Sequence, residues 1–375
     1  MYWLAWKTLF HERGRLVITL TGIIFSAVLT LAQVSMYIGM MGNATAIIRH
    51  TDADIWVASK NIQNFDFTNP FPEEWISRVR ALPEVLWADR LIMTWGFLKL
   101  SNGGKEQVQI IGFNPDTGVG APWSMVAGSP SDAKGGNYMI ADVTSQKRLG
   151  ALEKGTVWEL NDRRFELVGL SEGIKSFTTA PVVFMSYNTA QSFQGLVKSG
   201  QTSYIVAKLR YGTNREQVAD MLGKTMMNND VMTKDGFIYR TIAYWTIQTG
   251  IGMGFFLTAI LGLIVGGAIV GQTVYANTME HLREFGTLKA LGARNRDIYC
   301  VIFTQVCINA VIGFGVGSTL IMLARSGIEK AGVSLYLSPV LFGIIFFVVL
   351  STCLLSAFFS VRKVRTLDPV TVFRM

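Results

Sequence analysis

Four long runs without a single Asp, Glu, Lys or Arg dominate this sequence. They cover residues 16–41, 241–279, 298–324 and 331–361. The hydrocarbon core of a bilayer is about 30 Å thick, and a helix needs about 20 mostly apolar residues to cross it. Each run is long enough, and hydrophobic residues make up 50% of the chain. We therefore expect four transmembrane helices, over residues 16–41, 241–279, 298–324 and 338–361, with a short loop over 325–337 before the last helix.

The region between the first two runs has a different composition. Residues 42–240 carry 21 basic and 20 acidic side chains, and their hydrophobic residues follow short strand and helix patterns. Such a balance is typical of a domain that folds in water. The predicted fold class is a membrane protein with four transmembrane α-helices and a large α+β extracytoplasmic domain between the first and second helices.

The charges that flank the runs predict the topology. Of the net charge of +8, the region 42–240 contributes only +1, as 21 minus 20. The remaining basic residues concentrate in the N-terminal tail, in the loop 280–297 and in the tail 362–375. Because basic residues beside membrane helices mark the cytoplasmic side, we expect both termini and the loop 280–297 to be cytoplasmic. Topology thus accounts for the basic charge, and no nucleic acid is expected as a partner.

The N-terminal end leaves two questions. The residues at 44–46 resemble a signal-peptide cleavage site, but the apolar run before them is longer than the roughly 7–15 residues of a signal peptide. We therefore interpret the first run as a retained anchor. Residues 1–15 place Tyr2, Trp6 and Phe10 on one helical face. They form either a short helix in the membrane interface or the start of a tilted first helix.

The second run is too long for a simple span. Its 39 uncharged residues would make a helix of about 58 Å at 1.5 Å per residue. The helix therefore bends, for which Gly250, Gly252 or Gly254 would provide a place, or it projects from the membrane on the outer side. Two projecting helices on either side of the outer domain would form a stalk.

Small residues recur at four-residue spacing within the runs, in the pairs Gly262/Gly266, Gly267/Gly271 and Gly313/Gly317. Small residues with this spacing let helix backbones approach closely. The pairs therefore predict tight helix packing, either within one subunit or across a dimer.

Several patterns within 42–240 predict individual elements. ADIWVAS indicates a strand, and Pro72 with two glutamates starts an amphipathic helix. A hairpin is expected around the Asn-Gly-Gly turn at 102–104 and another around Asn161-Asp162. A strand–helix–strand unit follows, whose helix begins with a capping box of Thr213 and Glu216. The buried stripe of that helix is predicted to consist of Val218, Met221, Leu222 and Met226. We expect residues 131–199 to form a small β-rich insertion.

The sequence offers little for enzyme chemistry. LGKT at 222–225 ends like a phosphate-binding loop, but Val218 stands where the loop needs glycine. HTDAD at 50–54 is a weak metal motif. The segment is better explained as the residues that lead into a strand, with carboxylates exposed to water. The cysteines at 300, 307 and 353 lie in or beside the spans. We therefore expect no catalytic residues, metal or cofactor in this chain. Ion-coupled transporters keep ionisable residues in the membrane, and these runs have none of the four charged types.

One cytoplasmic segment interrupts the hydrophobic C-terminal half, with the sequence REFGTLKALGA at 283–293. Its apolar residues fall loosely on one side, and two glycines weaken it as an isolated helix by about 1 kcal/mol each. Such a segment either docks into a groove of a partner protein or forms an ordinary cytoplasmic turn. The candidate partner-contact residues are Arg283, Glu284, Phe285, Gly286, Leu288, Lys289, Leu291 and Gly292.

This loop, written HLREFGTLKALGARNRDI, resembles the cytoplasmic loop of the FtsX/MacB-type ABC permeases, the four-span type VII or mechanotransmission group. The ending VRKVRTLDPVTVFRM is similar to the C-terminal end of the same family. GTVWELNDRRFELVGL is similar to the β-rich outer subdomain of that group, and residues 50–130 and 200–240 resemble its porter-like subdomain. LAWKTLFHERGRL and IRHTDADIWVASK look most like the permeases of the heterocyst glycolipid exporter type.

The resemblance implies a permease subunit of an ATP-driven bacterial exporter in the inner (plasma) membrane. The candidate residues would contact a cytoplasmic ABC ATPase, which binds ATP and Mg and is a separate protein, because only about 15 residues precede the first span. Further implied partners are a second copy of the chain in a homodimer, a periplasmic adaptor (membrane fusion protein), an outer-membrane channel and membrane lipid. Two alternatives remain open: a non-transporting transducer that activates a periplasmic cell-wall hydrolase, and a lipoprotein-releasing permease.

Overall fold

The fold is described from a computed structural model. It describes residues 13–192, 197–281, 283–284, 286–287, 293–330 and 332–365. The chain divides into two compact units, one formed by 1–39 with 251–375 and the other by 40–250. We call them the membrane unit and the outer unit. Most of the expected N-terminal interfacial helix and most of the C-terminal tail lie outside the described residues.

One long helix begins the described chain, short helices follow, and three long helices end it. They are α1 (Arg13–Ala44), α2 (Ala46–His50), α3 (Ile76–Arg80), α4 (Gln146–Leu149), α5 (Tyr187–Gln191), α6 (Arg215–Thr225), α7 (Lys234–Ala243), α8 (Ile251–Glu280), α9 (Asn295–Lys330) and α10 (Pro339–Arg365). Helices α1, α8, α9 and α10 are long and apolar enough to cross a membrane. Each covers most of one of the four expected spans, and the helices extend past several of the expected ends. The exception is the start of the second span, since α8 begins at Ile251 and the expected start was residue 241.

The strands all lie between α2 and α7. They are β1 (Ile55–Ser59), β2 (Phe71–Pro72), β3 (Val85–Lys99), β4 (Lys105–Phe113), β5 (Met125–Ala127), β6 (Tyr138–Asp142), β7 (Val157–Leu160), β8 (Arg163–Ser171), β9 (Val182–Ser186), β10 (Gln201–Thr202), β11 (Tyr204–Leu209) and β12 (Asn229–Thr233). Helices and strands both contribute, so the predicted class of four membrane helices with an α+β domain between the first two is confirmed.

In the membrane unit, the four long helices share one apolar core. Its fully buried members include Ala27 and Leu31 of α1, Val270 of α8, Ala310 of α9 and Ala357 of α10. Many large apolar side chains of α8 and α10 point away from this core and are exposed. Exposed apolar faces are expected where helices meet lipid or a second copy of the chain.

The long second run does not form one regular helix. After α7, residues Tyr244–Gln248 form a π-helical turn, and Gly250 has a φ of 74° before α8 begins. Glycine is well suited to such a left-handed backbone conformation, because it has no Cβ atom. Of the three glycines proposed as bending points, Gly250 is therefore the one at the break.

The outer unit is organised by one long sheet in the order β12-β1-β11-β3-β4-β9-β6-β8-β5, with β7 paired to β3 and β8. The 15-residue strand β3 pairs with β11 and with β4. Strand β4 then pairs in parallel with β9, and β5 pairs with β8. The β-rich part therefore includes strands that lie outside the expected insertion 131–199, because the sheet continues across both of its edges.

Two details of the helix α6 differ from the sequence prediction. The residue that caps its N-terminus is Asn214, whose side-chain oxygen accepts hydrogen bonds from the backbone N–H groups of Glu216 and Gln217. The predicted cap, Thr213, was wrong by one residue. Met221 is 40% exposed, so it does not belong to the buried stripe, which the structure forms from Val218, Ala219, Leu222 and Met226.

The helix predicted to start at Pro72 differs as well, because Pro72 belongs to β2, Glu73–Trp75 form a 3₁₀ turn and α3 begins at Ile76. Three other local predictions for the outer unit are confirmed. ADIWVAS contains β1, and the Asn-Gly-Gly turn lies between the antiparallel strands β3 and β4. Asn161 and Asp162, with φ values of 44° and 62°, form the turn between β7 and β8. Two positive φ values in a two-residue turn match the twist of the flanking strands.

Candidate functional site

The segment expected to contact a partner is only partly described. Of its candidate residues, Arg283, Glu284 and Gly286 are described and helical. Phe285, Leu288, Lys289, Leu291 and Gly292 lie outside the described residues. Glu284 is 71% exposed on its side chain, and its carboxylate lies 3.0 Å from His281 Nδ1. An exposed acidic group at this place is available to a protein partner.

Both ends of this segment are held by polar contacts within the membrane unit. Glu280, the last residue of α8, forms an ion pair with Arg15 of α1. At the other end, the Asp297 carboxylate accepts a hydrogen bond of 2.9 Å from the backbone N–H of Arg294, at the start of α9. The segment is thus bounded by an ion pair to α1 at one end and by a hydrogen bond at the start of α9 at the other.

The glycine pairs mark the closest contacts between the membrane helices. Gly262 and Gly266 of α8 face α1, where an added Cβ would lie 2.7 Å from Leu29 Cδ2 or 2.5 Å from Ser26 Cβ. Gly313 of α9 also faces α1, as does Gly317.

The third pair faces another helix. An added Cβ at Gly267 would lie 2.9 Å from Ser356 Oγ of α10, and the Gly271 carbonyl accepts a 2.7 Å hydrogen bond from Ser360 Oγ. All three pairs are thus occupied by packing within one subunit, which decides between the two alternatives that the sequence left open.

The outer unit has a polar joint where the chain enters and leaves it. Lys234, the first residue of α7, donates hydrogen bonds from Nζ to the carbonyl oxygens of Arg49 (2.7 Å) and Thr51 (2.9 Å), at the end of α2. Burial lowers the pKa of Lys234. Helix α2 packs against α7, and Thr246 contacts the Met41 sulfur near the end of α1. The two connections to the membrane unit are therefore tied to each other.

The motif at 50–54 supports this joint. The Asp54 side chain is 7% exposed and lies 2.9 Å from Arg215 Nη2 and 3.7 Å from Lys208 Nζ. It also accepts a hydrogen bond from the backbone N–H of Leu209. The expectation of solvated carboxylates holds for Asp52, which is 80% exposed, and was wrong for Asp54. Among the described residues, no group of three or more His, Cys, Asp or Glu side chains could hold a metal ion.

Comparison with known protein families decides what kind of protein this is. Residues 231–369 match the model of the FtsX-like permease C-terminal family, and residues 16–225 match the MacB-like periplasmic core domain. The second match alone covers more than half of the chain. This chain is an ABC transporter permease of the MacB/FtsX type.

Individual relatives agree with the family. An ABC transporter permease of Mycobacterium tuberculosis, itself uncharacterised, is 27% identical to this permease over 327 residues, which cover 85% of each chain. The pyoverdine export ATP-binding/permease protein PvdT of Pseudomonas fluorescens is 34% identical over 115 residues, 30% of this chain and 17% of that protein. The periplasmic region of MacB from Actinobacillus actinomycetemcomitans covers 55% of this chain with 15% identity and a TM-score of 0.37.

Family membership confirms the resemblance seen in the sequence, and an ABC permease works with an ABC ATPase as its partner. The particular closeness to heterocyst glycolipid exporters stays a prediction, as does the contact of residues 283–292 with the ATPase.

The sequence analysis missed two polar residues in the permease's membrane unit. Gln305 and Asn309 of α9 are 7% and 6% exposed, and they stand two turns and one turn before Gly313, which packs against α1. Uncharged amides in a membrane helix form polar contacts between helices. Both residues continue the four-residue spacing of Gly313 and Gly317 towards the start of α9. That spacing was the signal in the sequence that could have revealed them.

Proposed function

We propose that this permease is the membrane subunit of an ATP-driven bacterial exporter, bound in the inner membrane to a separate ABC ATPase. The ATPase moves the segment 283–292 on the cytoplasmic side, where both termini lie. The membrane unit passes this movement to the outer unit in the periplasm, which drives the substrate outward. The working form is a homodimer that acts with a periplasmic adaptor and an outer-membrane channel. This chain binds no ATP or Mg, performs no catalysis and transmits movement.

The polar joint at Lys234 carries this proposal. The chain passes between the two units near residues 40 and 250, and movement can be transmitted along these two connections. Because Lys234 ties the end of α2 to the start of α7 by two hydrogen bonds, the two connections act on the sheet together. Strand β1 follows α2 and pairs with β12, which precedes α7, so the joint continues directly into the sheet.

The source of energy follows from the composition of the spans. Coupling to protons or sodium ions requires ionisable residues or broken helices near the membrane centre. The four runs contain no Asp, Glu, Lys or Arg, and the glycine contacts close the helices on each other. ATP hydrolysis by the partner is the remaining source, and the helices then act as mechanical elements with no substrate tunnel within one subunit.

The direction of transport is supported by a relative. PvdT is named for pyoverdine export, and it shares 34% identity with this chain over 115 residues. Export is therefore preferred over activation of a wall hydrolase or lipoprotein release.

The proposal is tested by measuring ATP-driven movement of the outer unit. A spin label is placed at the exposed residue Asn102 in permease whose cysteines are replaced by serine, and the distance between the two labels of the dimer is measured in nanodiscs with the ATPase. We expect ATP with vanadate to shift this distance. Lys234→Met should abolish the shift while the ATPase stays bound, whereas Lys224→Met, an exposed control, should preserve it.

A second pair of variants tests the cytoplasmic end. Glu284→Lys should reduce both co-purification of the ATPase and its stimulation, because it reverses an exposed charge in the contact segment. Glu74→Lys, an equal change on an exposed residue of the outer unit, should change neither. A wild-type label distance that does not respond to ATP contradicts mechanical transmission. Cross-linking in intact cells that captures a wall hydrolase, with no adaptor or channel, contradicts export.

A further inference from the structure

A buried carboxyl group lies in the outer unit, close to the turn that precedes α8. Asp66 is 6% exposed and belongs to the loop between β1 and β2. Its Oδ1 accepts a 2.8 Å hydrogen bond from Gln109 Nε2 of β4, a residue that is itself 2% exposed. Its Oδ2 is buried and has no hydrogen-bond partner among the described residues. The Oδ2 atom therefore has no hydrogen bond within the described residues to replace those that it would make with water.

The indole of Trp245 lies near this carboxyl group. Trp245 lies in the π-helical turn Tyr244–Gln248, and α8 begins at Ile251. Its ring stacks on Phe177 with 3.7 Å between centroids, and its Nε1 is buried without a partner among the described residues. The indole N–H acts to lower the pKa of Asp66, although it forms no hydrogen bond with a described residue.

Among the described residues, no positively charged side chain pairs with Asp66. Trp95 Nε1 of β3 donates to the Asp66 backbone carbonyl at 3.3 Å. Asn64, fully buried, receives the Asp66 backbone N–H on its Oδ1, while its Nδ2 has no partner among the described residues. Tyr204 of β11 is a titratable group near Asp66. Burial raises the pKa of Tyr204, and a charge on Asp66 raises it further. Arg240 of α7 is directed to Asp230 and to the Ile62 carbonyl.

Burial is the largest influence on this carboxyl group, and it raises the pKa of Asp66 from 3.8 to about 6. The hydrogen bond from Gln109 and the Trp245 indole oppose this shift in part. An acid whose pKa is raised in the closed form binds its proton more tightly there than in an open, hydrated form. The closed form is therefore favoured most below pH 4, and this advantage is lost as the pH rises through about 6.

We propose that Asp66 is a proton-controlled latch on the turn that leads into α8. When the carboxyl group is protonated, the loop 61–70 packs closed against Trp245 and holds the turn in place. When the group ionises, its unpaired oxygen favours hydration, and the loop opens more often and frees the turn. The proton comes from the surrounding water and returns to it. The permease would thereby respond to the pH of the compartment that surrounds its outer unit.

The latch is tested by hydrogen exchange of the full-length permease in lipid nanodiscs at pH 5 and pH 7.5, after correction for the intrinsic exchange rate. Between these pH values, pKa values of about 6 and 3.8 for the closed and open forms predict an opening equilibrium about tenfold larger at pH 7.5. We expect this increase in the loop 61–70 and the turn 244–250. Asp66→Asn, which cannot ionise, should show the same protection at both pH values.

Two further variants exclude a merely structural effect. Trp245→Phe keeps the stacking on Phe177 but removes the indole N–H that lowers the pKa, so the midpoint of the pH transition should move upward. Asp116→Asn changes an exposed carboxylate of the same unit and should leave the transition unchanged. The latch is refuted if wild type shows no corrected pH dependence in these two segments, if Asp66→Asn retains it, or if Trp245→Phe leaves the midpoint where it was. Because exchange is measured without ATPase or substrate, failure of the latch leaves the proposed transport function intact, and the reverse also holds.

Discussion

The membrane unit and the outer unit of this permease differ in the groups that make their internal contacts. In the membrane unit, helices meet at glycine, as at Gly266 beside Ser26 and at Gly313 beside Ile23. The outer unit has close glycine contacts too, as at Gly112 beside Ala190, but it adds contacts between charged and polar groups, as at Lys234 and Asp54. The difference reflects the solvent around each unit. A charge inside the bilayer is costly, whereas a domain that folds in water can contain charged side chains and pair them with each other.

This contrast has a mechanical consequence. Helices that meet at glycine are held in position by close packing, and close packing does not depend on pH or salt concentration. Joints made of ion pairs and hydrogen bonds respond to both. We therefore expect the membrane unit to behave as a stiff element and the outer unit to contain the adjustable connections. Paired substitutions in each unit test that expectation.

The largest effect is expected in the membrane unit. Gly266→Val places a side chain where even a Cβ would lie 2.5 Å from Ser26 Cβ and 3.1 Å from the Gly22 carbonyl oxygen. Because backbone cannot yield as a flexible side chain does, we expect a loss of about 3 kcal/mol or more, seen as a lower unfolding temperature in detergent. Gly254→Val, where nothing lies within 4 Å of an added Cβ, is the matched control. Equal unfolding temperatures for the two variants would show that shape does not fix this bundle.

A somewhat smaller effect is expected at the polar joint. Asp54→Ala leaves the backbone N–H of Leu209 without its acceptor and removes the partner of Arg215, so we expect a loss of about 2–3 kcal/mol. Asp52→Ala removes an exposed carboxylate and should cost less than about 0.5 kcal/mol. Denaturant unfolding of the full-length protein in detergent, followed by circular dichroism, gives both values. If Asp52 proves as costly as Asp54, burial does not set the strength of this joint.

The smallest effect concerns the start of α6. Asn214→Ala removes the side-chain oxygen that accepts two backbone hydrogen bonds, which typically costs about 1 kcal/mol. Thr213→Ala should cost less than half of that, because the structure gives Thr213 no capping role. The same unfolding measurement ranks the two variants. The opposite order would restore the capping box that the sequence pattern suggested.

The errors in the sequence analysis share one cause. The capping box of Thr213 and Glu216 fitted the pattern, but the chain turns one residue later and brings Asn214 to the cap position. Met221 fitted the helical period but lies at the edge of the stripe, where the sheet no longer covers it. Period and residue type describe one element at a time, whereas burial depends on what packs against that element.

The sequence by itself determined the four membrane helices, the side of the membrane expected for each loop, the local strand and hairpin pattern and the family. These properties depend on composition and spacing along short stretches, because the bilayer and the turn types impose local requirements. Only the tertiary structure decided that the glycine pairs face neighbours within the same subunit, and that Lys234 meets Arg49 across 185 residues of chain. It likewise brought Asp66 to Gln109, 43 residues away. The physical reason is that the partner of a buried polar atom or of a glycine face is set by how distant segments pack, which leaves no periodic signal in the sequence.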